Sequence, residues 1–152
     1  MIEIIVGVAV ILAVVLSLTF VYNSYLKVTF SNTQNIQASS LLEEGVEAVK
    51  ILRDKSWNEN IKNIPLNTPT FLSFDGSTWN ATSTKEIIGG VFERNEIFAE
   101  TYRDNNGDIV KDSGTLDLNT KFVTVNVSWF DQNSLSTSTK SISFYVTNLF
   151  NN

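Results

Sequence analysis

The side chains in this chain that could carry out chemistry are mostly carboxylates. The 152-residue sequence contains no histidine and no cysteine. Within this chain, that excludes serine–histidine–aspartate and cysteine–histidine catalysis, histidine-ligated zinc, thiolate metal sites and disulfide bonds. The net charge of −5 also argues against nucleic-acid binding, which needs a basic face. Carboxylates are therefore the main remaining candidates for metal binding or proton transfer.

Three residues have the alternating spacing of the first calcium ligands in an EF-hand loop: Asp104, Asn106 and Asp108. The position that should be glycine is Ile109, and the twelfth position is Thr115, where glutamate is required. A tight hairpin turn explains the same residues without a metal, so we predict a turn and keep weak calcium binding as the alternative. Three more residues could add ligands only if their loops meet: Asp112, Asp117 and Asn119.

The other acidic residues form no catalytic pattern. Three glutamates close together in the sequence are better explained by a solvated helix face: Glu43, Glu44 and Glu47. Glu93 and Glu96 are of the type that a carboxylate-dependent hydrolase uses, but no further feature supports that function. We therefore predict that the protein is not an enzyme and that it has no cofactor.

The amino-terminal part of the chain has the composition of a membrane segment. Residues 4 to 26 carry no charge. As a helix, this stretch would be roughly 35 Å long, enough to cross a hydrocarbon core of about 30 Å. Apolar residues lie on all sides of its first turns, whereas a soluble helix shows a stripe. Tyr22 and Tyr25, followed by Lys27, resemble an interfacial belt.

Glu3 is the one charged side chain before this apolar stretch. A secretory signal peptide would have basic residues there and a small-residue cleavage site afterwards. We therefore expect that the segment is retained and that a basic leader was removed upstream or lies outside the sequence. Glu3 could lie at headgroup level, act as a helix N-terminal acid, or pair with the terminal amine of another subunit.

The stretch from Met1 to Ile11, with its early glutamate in an apolar helix, resembles the mature terminus of a type IV pilin or pseudopilin. The segment 37–57 is similar to pilin-like proteins of small-genome bacteria of the candidate phyla radiation, as are 102–104 and 125–129. The proline that the family has within its apolar segment is absent, since Pro65 and Pro69 come much later.

This resemblance implies a structural subunit that polymerises into a helical filament. Before assembly the subunit would be a single-pass protein of the cytoplasmic membrane, and afterwards part of an extracellular pilus for adhesion or motility. Its partners would be identical subunits and the pilus assembly machinery, without direct nucleic-acid contact. The assembly residues it implies are these: Met1, Glu3, Ile4, Ile5, Val8, Ile11, Leu12 and Val15. A pseudopilin or minor pilin, or a monomeric signal-anchored surface protein, remains an alternative.

The rest of the pattern predicts an α+β fold. One helix from about Ile2 to about Lys55 would have an amphipathic second half, with this apolar stripe: Ala38, Leu41, Leu42, Gly45, Val49 and Leu52. The domain organisation predicted is a helix over 1–57, with a membrane or filament-core part (1–26) and an amphipathic part (27–57), followed by a globular domain over 58–152.

Period-2 alternation after residue 69 predicts an antiparallel sheet with one apolar face, which the helix stripe would cover. Predicted strands are the following: 70–74, 78–82, 92–103, 109–111, 122–130 and 141–149. Turns are expected at 75–77 and 104–108, and a longer loop at 131–139. The stretch 58–69 reads as a linker because it combines asparagines and prolines.

Overall fold

The protein combines a long amino-terminal helix with an antiparallel sheet of seven strands, as predicted. A computed structural model describes residues 1–111, 113–131 and 135–150. The elements in chain order are α1 (Ile2–Lys55), α2 (Trp57–Asn60), β1 (Pro69–Phe74), β2 (Trp79–Thr82), β3 (Ile87–Ile88), β4 (Phe92–Arg103), β5 (Ile109–Val110), β6 (Thr115–Asp131) and β7 (Ser136–Thr147). The chain divides into two compact units, Met1–Gln37 and Ala38–Asn152.

The first unit, Met1–Gln37, consists of the amino-terminal part of α1. Its few hydroxyl groups are satisfied within the helix. Ser17 Oγ, for example, donates to the carbonyl oxygen of Ala13 at 2.8 Å, and Thr19 Oγ1 donates to that of Val15. Because these side chains bond to the preceding turn, they are accommodated in the helix without interrupting it.

In the second unit, the carboxyl-terminal part of α1 packs on the sheet through one face. The buried residues of this face are Ala38, Leu42, Gly45, Ala48, Val49 and Leu52. Five of these six belong to the predicted stripe, whereas Leu41 is only half-buried and Ala48 was not predicted. Ala48 lies one turn from Leu52 on the same side, and its small side chain allows the helix to approach the strands.

The sheet has the strand order β2-β1-β4-β6-β7, and all of these neighbours are antiparallel. The short strands β3 and β5 both pair with β4. The hairpins predicted around 75–77 and 104–108 are present. The β6–β7 register continues from Asp131↔Ser136 to Thr120↔Thr147. Therefore β7 is an edge strand, and β4 and β6 form the centre of the sheet.

Some boundaries differ from the predictions. β4 matches its predicted range, but β6 begins seven residues earlier than predicted, at Thr115, and β7 begins at Ser136. The loop predicted at 131–139 is correspondingly shorter, and its residues 132–134 lie outside the described part of the chain. The start of β7 is polar and has no apolar alternation, so pairing with β6 determines it instead of the pattern. The short helix α2 overlaps the start of the predicted linker, and its amino end is capped by the Ser56 hydroxyl.

Two apolar clusters form the core between α1 and the sheet. One surrounds Phe98 and Trp57, and the other contains Phe92 and Trp129. On β6 the predicted inward face is confirmed, because Val123, Val125 and Val127 are buried along with Trp129.

On β7 the residues predicted to face inward are less uniformly buried than those on β6. Ile142 is 41% exposed, whereas Val146 is 1% exposed. Ile142 lies opposite Val125 of β6, so it shares the inward face of the sheet. The position of β7 at the edge, where one neighbouring strand is missing, explains the difference.

Gly45 marks the closest approach of α1 to the sheet. A Cβ atom at this position would lie 2.7 Å from Val125 Cγ1 and 3.1 Å from Arg94 Cδ. The absence of a side chain therefore lets the helix backbone contact the strands directly. Gly45 is therefore the residue of the predicted stripe at which close packing requires the smallest side chain.

Candidate assembly surface

The apolar segment, defined as residues 4–26, belongs to the part of α1 that makes up the first unit. The helix α1 is long and apolar enough to cross a membrane, and none of its most apolar stretch is buried within the chain. The segment folds as a helix because every backbone group except those at the ends is then satisfied internally. Its side chains consequently form a continuous apolar surface that has no cover within its own unit.

Six of the eight residues predicted for assembly lie on this surface, and the other two, Met1 and Glu3, directly precede it. Each of the apolar ones is more than half exposed, from 51% at Val8 to 101% at Met1. The predicted assembly residues from Ile4 to Val15 lie on one side of the helix, and the equally exposed Val6, Val10 and Val14 lie on the opposite side. A contact on one side only would therefore leave apolar surface uncovered. This arrangement fits a segment surrounded by lipid or by several other helices.

Glu3 lies in the first turn of α1, where the helix macrodipole favours a negative charge. Its side chain is exposed. Among the described residues it forms no ion pair within the chain. The nearest basic side chain in the sequence is Lys27, at the other end of the apolar segment. The carboxylate is thus accessible to a cation from another molecule.

The loop considered for calcium is a tight turn that is stabilised by hydrogen bonds among its own residues. Asp104 Oδ1 accepts hydrogen bonds of 2.9 Å from the backbone N–H groups of Asn106 and Asp108. Gly107 has a positive φ of 88°, which the turn requires and glycine permits. Arg103 donates to the Gly107 carbonyl oxygen at 2.7 Å. The Asp104 carboxylate therefore stabilises the turn.

The residues that could have completed a calcium site are placed differently. Asp117 forms an ion pair of 2.6 Å with Arg103. Burial is the largest single influence on the pKa of Asp117 and raises it, but hydrogen bonds from Arg103, Thr120 and the Asn119 backbone together hold this pKa below its usual value. The Asn119 backbone N–H donates to Asp117. Asp112 lies outside the described residues. No cluster of three acidic groups suited to a metal occurs among the residues that are described.

Glu93 and Glu96 do not form a carboxylate pair. They are three positions apart on β4, and side chains at that separation point to opposite faces of a sheet. Glu93 forms a 2.6 Å ion pair with Lys85, whereas Glu96 is fully buried. The two groups therefore cannot act on one substrate from the same side.

Sequence reasoning missed a buried polar cluster under α1. Arg94 and Glu96 are 4% and 0% exposed, and Arg94 binds Glu44 at 3.0 Å. Glu44 therefore binds a buried guanidinium as well as contacting water, whereas Glu47 forms an ion pair of 2.7 Å with Lys50 on the same helix. The sequence did contain a signal for this cluster. Arg94 and Glu96 lie at every second position between Phe92 and Phe98, so all four side chains share the inward face of β4.

Chemically, the apolar segment can exclude water by contact with lipid or with other apolar helices, and Glu3 can bind a cation. Neither interaction requires a cofactor. Comparisons of the chain with protein-family models, with curated proteins and with solved structures gave no match.

Proposed function

We propose that this protein is the structural subunit of a helical filament of the type IV pilus class. Subunits would associate through the apolar segment, and the sheet units would form the outside of the fibre. There they would serve adhesion to surfaces or motility. The monomer would be held in the cytoplasmic membrane by α1 before it joins the filament, and the assembly machinery would be formed by other proteins.

The observation that carries this proposal is the exposure of the apolar segment on all its sides. Burying a large apolar side chain stabilises by about 1.5–3 kcal/mol relative to water. The segment contains many such side chains, so a water-exposed monomer would be strongly disfavoured. The carboxyl-terminal part of α1, from Ala38 to Leu52, packs into the core of the second unit. The apolar segment is therefore free to contact copies of itself.

Glu3 distinguishes a filament from a simple membrane anchor. Lipid tails are about as apolar as leucine side chains, so burial alone gives no preference for helix contacts over lipid. A carboxylate near hydrocarbon is costly unless it is paired. Pairing with the terminal amine of a neighbouring subunit would remove two unpaired charges at once. This pairing would favour association in a fixed register.

A monomeric signal-anchored surface protein is the second candidate. The length of the apolar segment favours it, because residues 4–26 match the thickness of a bilayer without any partner. A secretion pseudopilin or minor pilin would share every feature of the main proposal. The abundance of the chain in fibres separates these possibilities.

The test is to shear surface appendages from cells that produce the protein, image them by electron microscopy, and analyse them by mass spectrometry. We expect thin fibres in which this chain is the main protein, with a processed amino terminus. A chain recovered only from the membrane fraction as a monomer would overturn the proposal. A chain present in fibres as a trace component would instead support a minor pilin.

A further inference from the structure

The polar cluster in the second unit joins α1 to three strands through a single guanidinium group. Arg94 Nη1 donates to Glu44 Oε1 at 3.0 Å, and Nη2 donates to the Leu72 carbonyl oxygen of β1 at 3.2 Å. The guanidinium also lies 5.1 Å from the ring centroid of Trp79 on β2. Because Arg94 belongs to β4, this one side chain connects α1 with the three neighbouring strands β2, β1 and β4.

Glu96 is the third member of the cluster, two residues after Arg94 on the same face of β4. Its Oε1 atom is 3.3 Å from Arg94 Nε, yet neither carboxyl oxygen accepts a well-directed hydrogen bond from the described residues. The space around it is closed by α1, since a Cβ atom on Gly45 would be 3.2 Å from Glu96 Oε1. A carboxylate in this position would be both desolvated and poorly bonded.

The charges of the cluster do not balance when both acids are ionised. One guanidinium would then face two carboxylates, which leaves a net negative charge between helix and sheet. The Glu44 side chain is 49% exposed and keeps contact with water, whereas Glu96 is fully buried. Glu96 is thus the group for which the proton-bound form is favoured.

The other elements packed against Glu96 do not change this balance. In the sheet, β1 places Thr70 and β6 places Val125 opposite Glu96, and neither side chain is an acid or a base. Among the described residues, the charged groups of the cluster are therefore Arg94, which contacts Glu96, and Glu44, which contacts Arg94. Burial raises the pKa of Glu96 to about 8, and the positive charge of Arg94 together with the Leu72 backbone N–H only partly offsets this rise.

We propose that Glu44, Arg94 and Glu96 form a proton-controlled latch between α1 and the sheet. When Glu96 carries a proton, Arg94 is free to hold Glu44 and the two strands beside it. When Glu96 loses its proton, the excess negative charge and the desolvated carboxylate weaken the contact between helix and sheet. This inference does not depend on filament formation.

The direction of the pH effect follows from the proton balance. The folded protein keeps the Glu96 proton up to about pH 8, while an unfolded chain releases it near the ordinary glutamate value of 4.5. Unfolding therefore releases a proton between these two values, and stability falls as pH rises through this window. The unfolding equilibrium constant should increase by up to about tenfold per pH unit there.

The test compares urea unfolding of the full chain in detergent from pH 5 to pH 9, followed by tryptophan fluorescence. We expect the wild type to lose stability across this range and Glu96→Gln to show a much flatter profile. Glu93→Gln is the matched control, because it removes an acid from the same strand on the opposite face. Parallel profiles for the wild type and Glu96→Gln would overturn the latch.

A second measurement covers the case in which the variant fails to fold. Infrared spectroscopy of the wild-type chain should show the C=O band of one protonated carboxyl group at pH 7, and this band should disappear above about pH 9. A spectrum at pH 7 that contains only ionised carboxylates would contradict the proposal directly. In a folded Glu96→Gln variant, the band should be missing.

Discussion

Replacing Glu3 with alanine is expected to abolish filaments while leaving the protein in the membrane. In the proposed fibre, the Glu3 carboxylate pairs with a terminal amine of a neighbouring subunit in an apolar environment. Removing one partner of a buried ion pair costs about 3–5 kcal/mol, because the other charge remains buried and unpaired. The affinity between subunits should therefore fall by roughly 100-fold or more.

The measurement is the ratio of sheared fibre to membrane-bound protein in cells that produce each variant. Glu43→Ala is the matched control, because Glu43 is an exposed acid on the same helix but belongs to the second unit. That control should assemble like the wild type. If Glu3→Ala formed fibres in normal amounts, the pairing proposal would be wrong, although association through apolar contacts alone would remain open.

The largest expected effect on folding is that of Phe98→Ala. Phe98 is fully buried in the cluster that also contains Trp57 and Leu52, so it contacts both the helix side and the sheet side of the core. Truncation of a buried phenylalanine removes its transfer free energy and leaves a cavity. We expect a loss of about 3–5 kcal/mol in the free energy of unfolding.

Urea unfolding of the full chain in detergent, followed by tryptophan fluorescence, measures this loss. Phe130→Ala removes the same side chain from a position that is 54% exposed, and it should cost far less. Equal destabilisation by the two substitutions would show that the core between α1 and the sheet is not organised as described.

The sequence pattern predicted α1 and the central strand β4 well. The helix begins at Ile2 and ends at Lys55, as expected, and its second half carries a stripe from Ala38 to Leu52 at helical spacing. The same holds for β4, where alternation between large apolar and polar residues is regular. In both elements, burial on one face imposes a period on the order of apolar and polar residues, and the sequence shows this period.

The pattern failed where neighbouring strands determine the structure. The polar start of β7 from Ser136 to Lys140 carries no apolar period, and it becomes a strand because β6 lies beside it. The buried cluster was missed for a related reason. Arg94 and Glu96 are charged, and charged residues normally indicate the solvent side, yet here they occupy inward positions under Gly45.

The candidate assembly surface was predictable from charge and length alone. An uncharged stretch from residue 4 to residue 26 needs an apolar environment, whichever fold follows it. The nature of that environment depends on other molecules. Neither the sequence pattern nor the exposure of Ile11 and Val15 therefore distinguishes lipid from the helices of other subunits. Glu3 is the residue whose chemistry favours a protein partner.

Helical reconstruction of the sheared fibres by cryo-electron microscopy would show where the apolar segments lie. We expect the apolar segments of many subunits to fill the centre of the fibre. We also expect each Glu3 carboxylate to lie within ion-pair distance of a terminal amine on an adjacent subunit. Fibres in which residues 4–26 lie at the surface, or cells in which the chain occurs only as single molecules in the membrane, would contradict the proposed assembly.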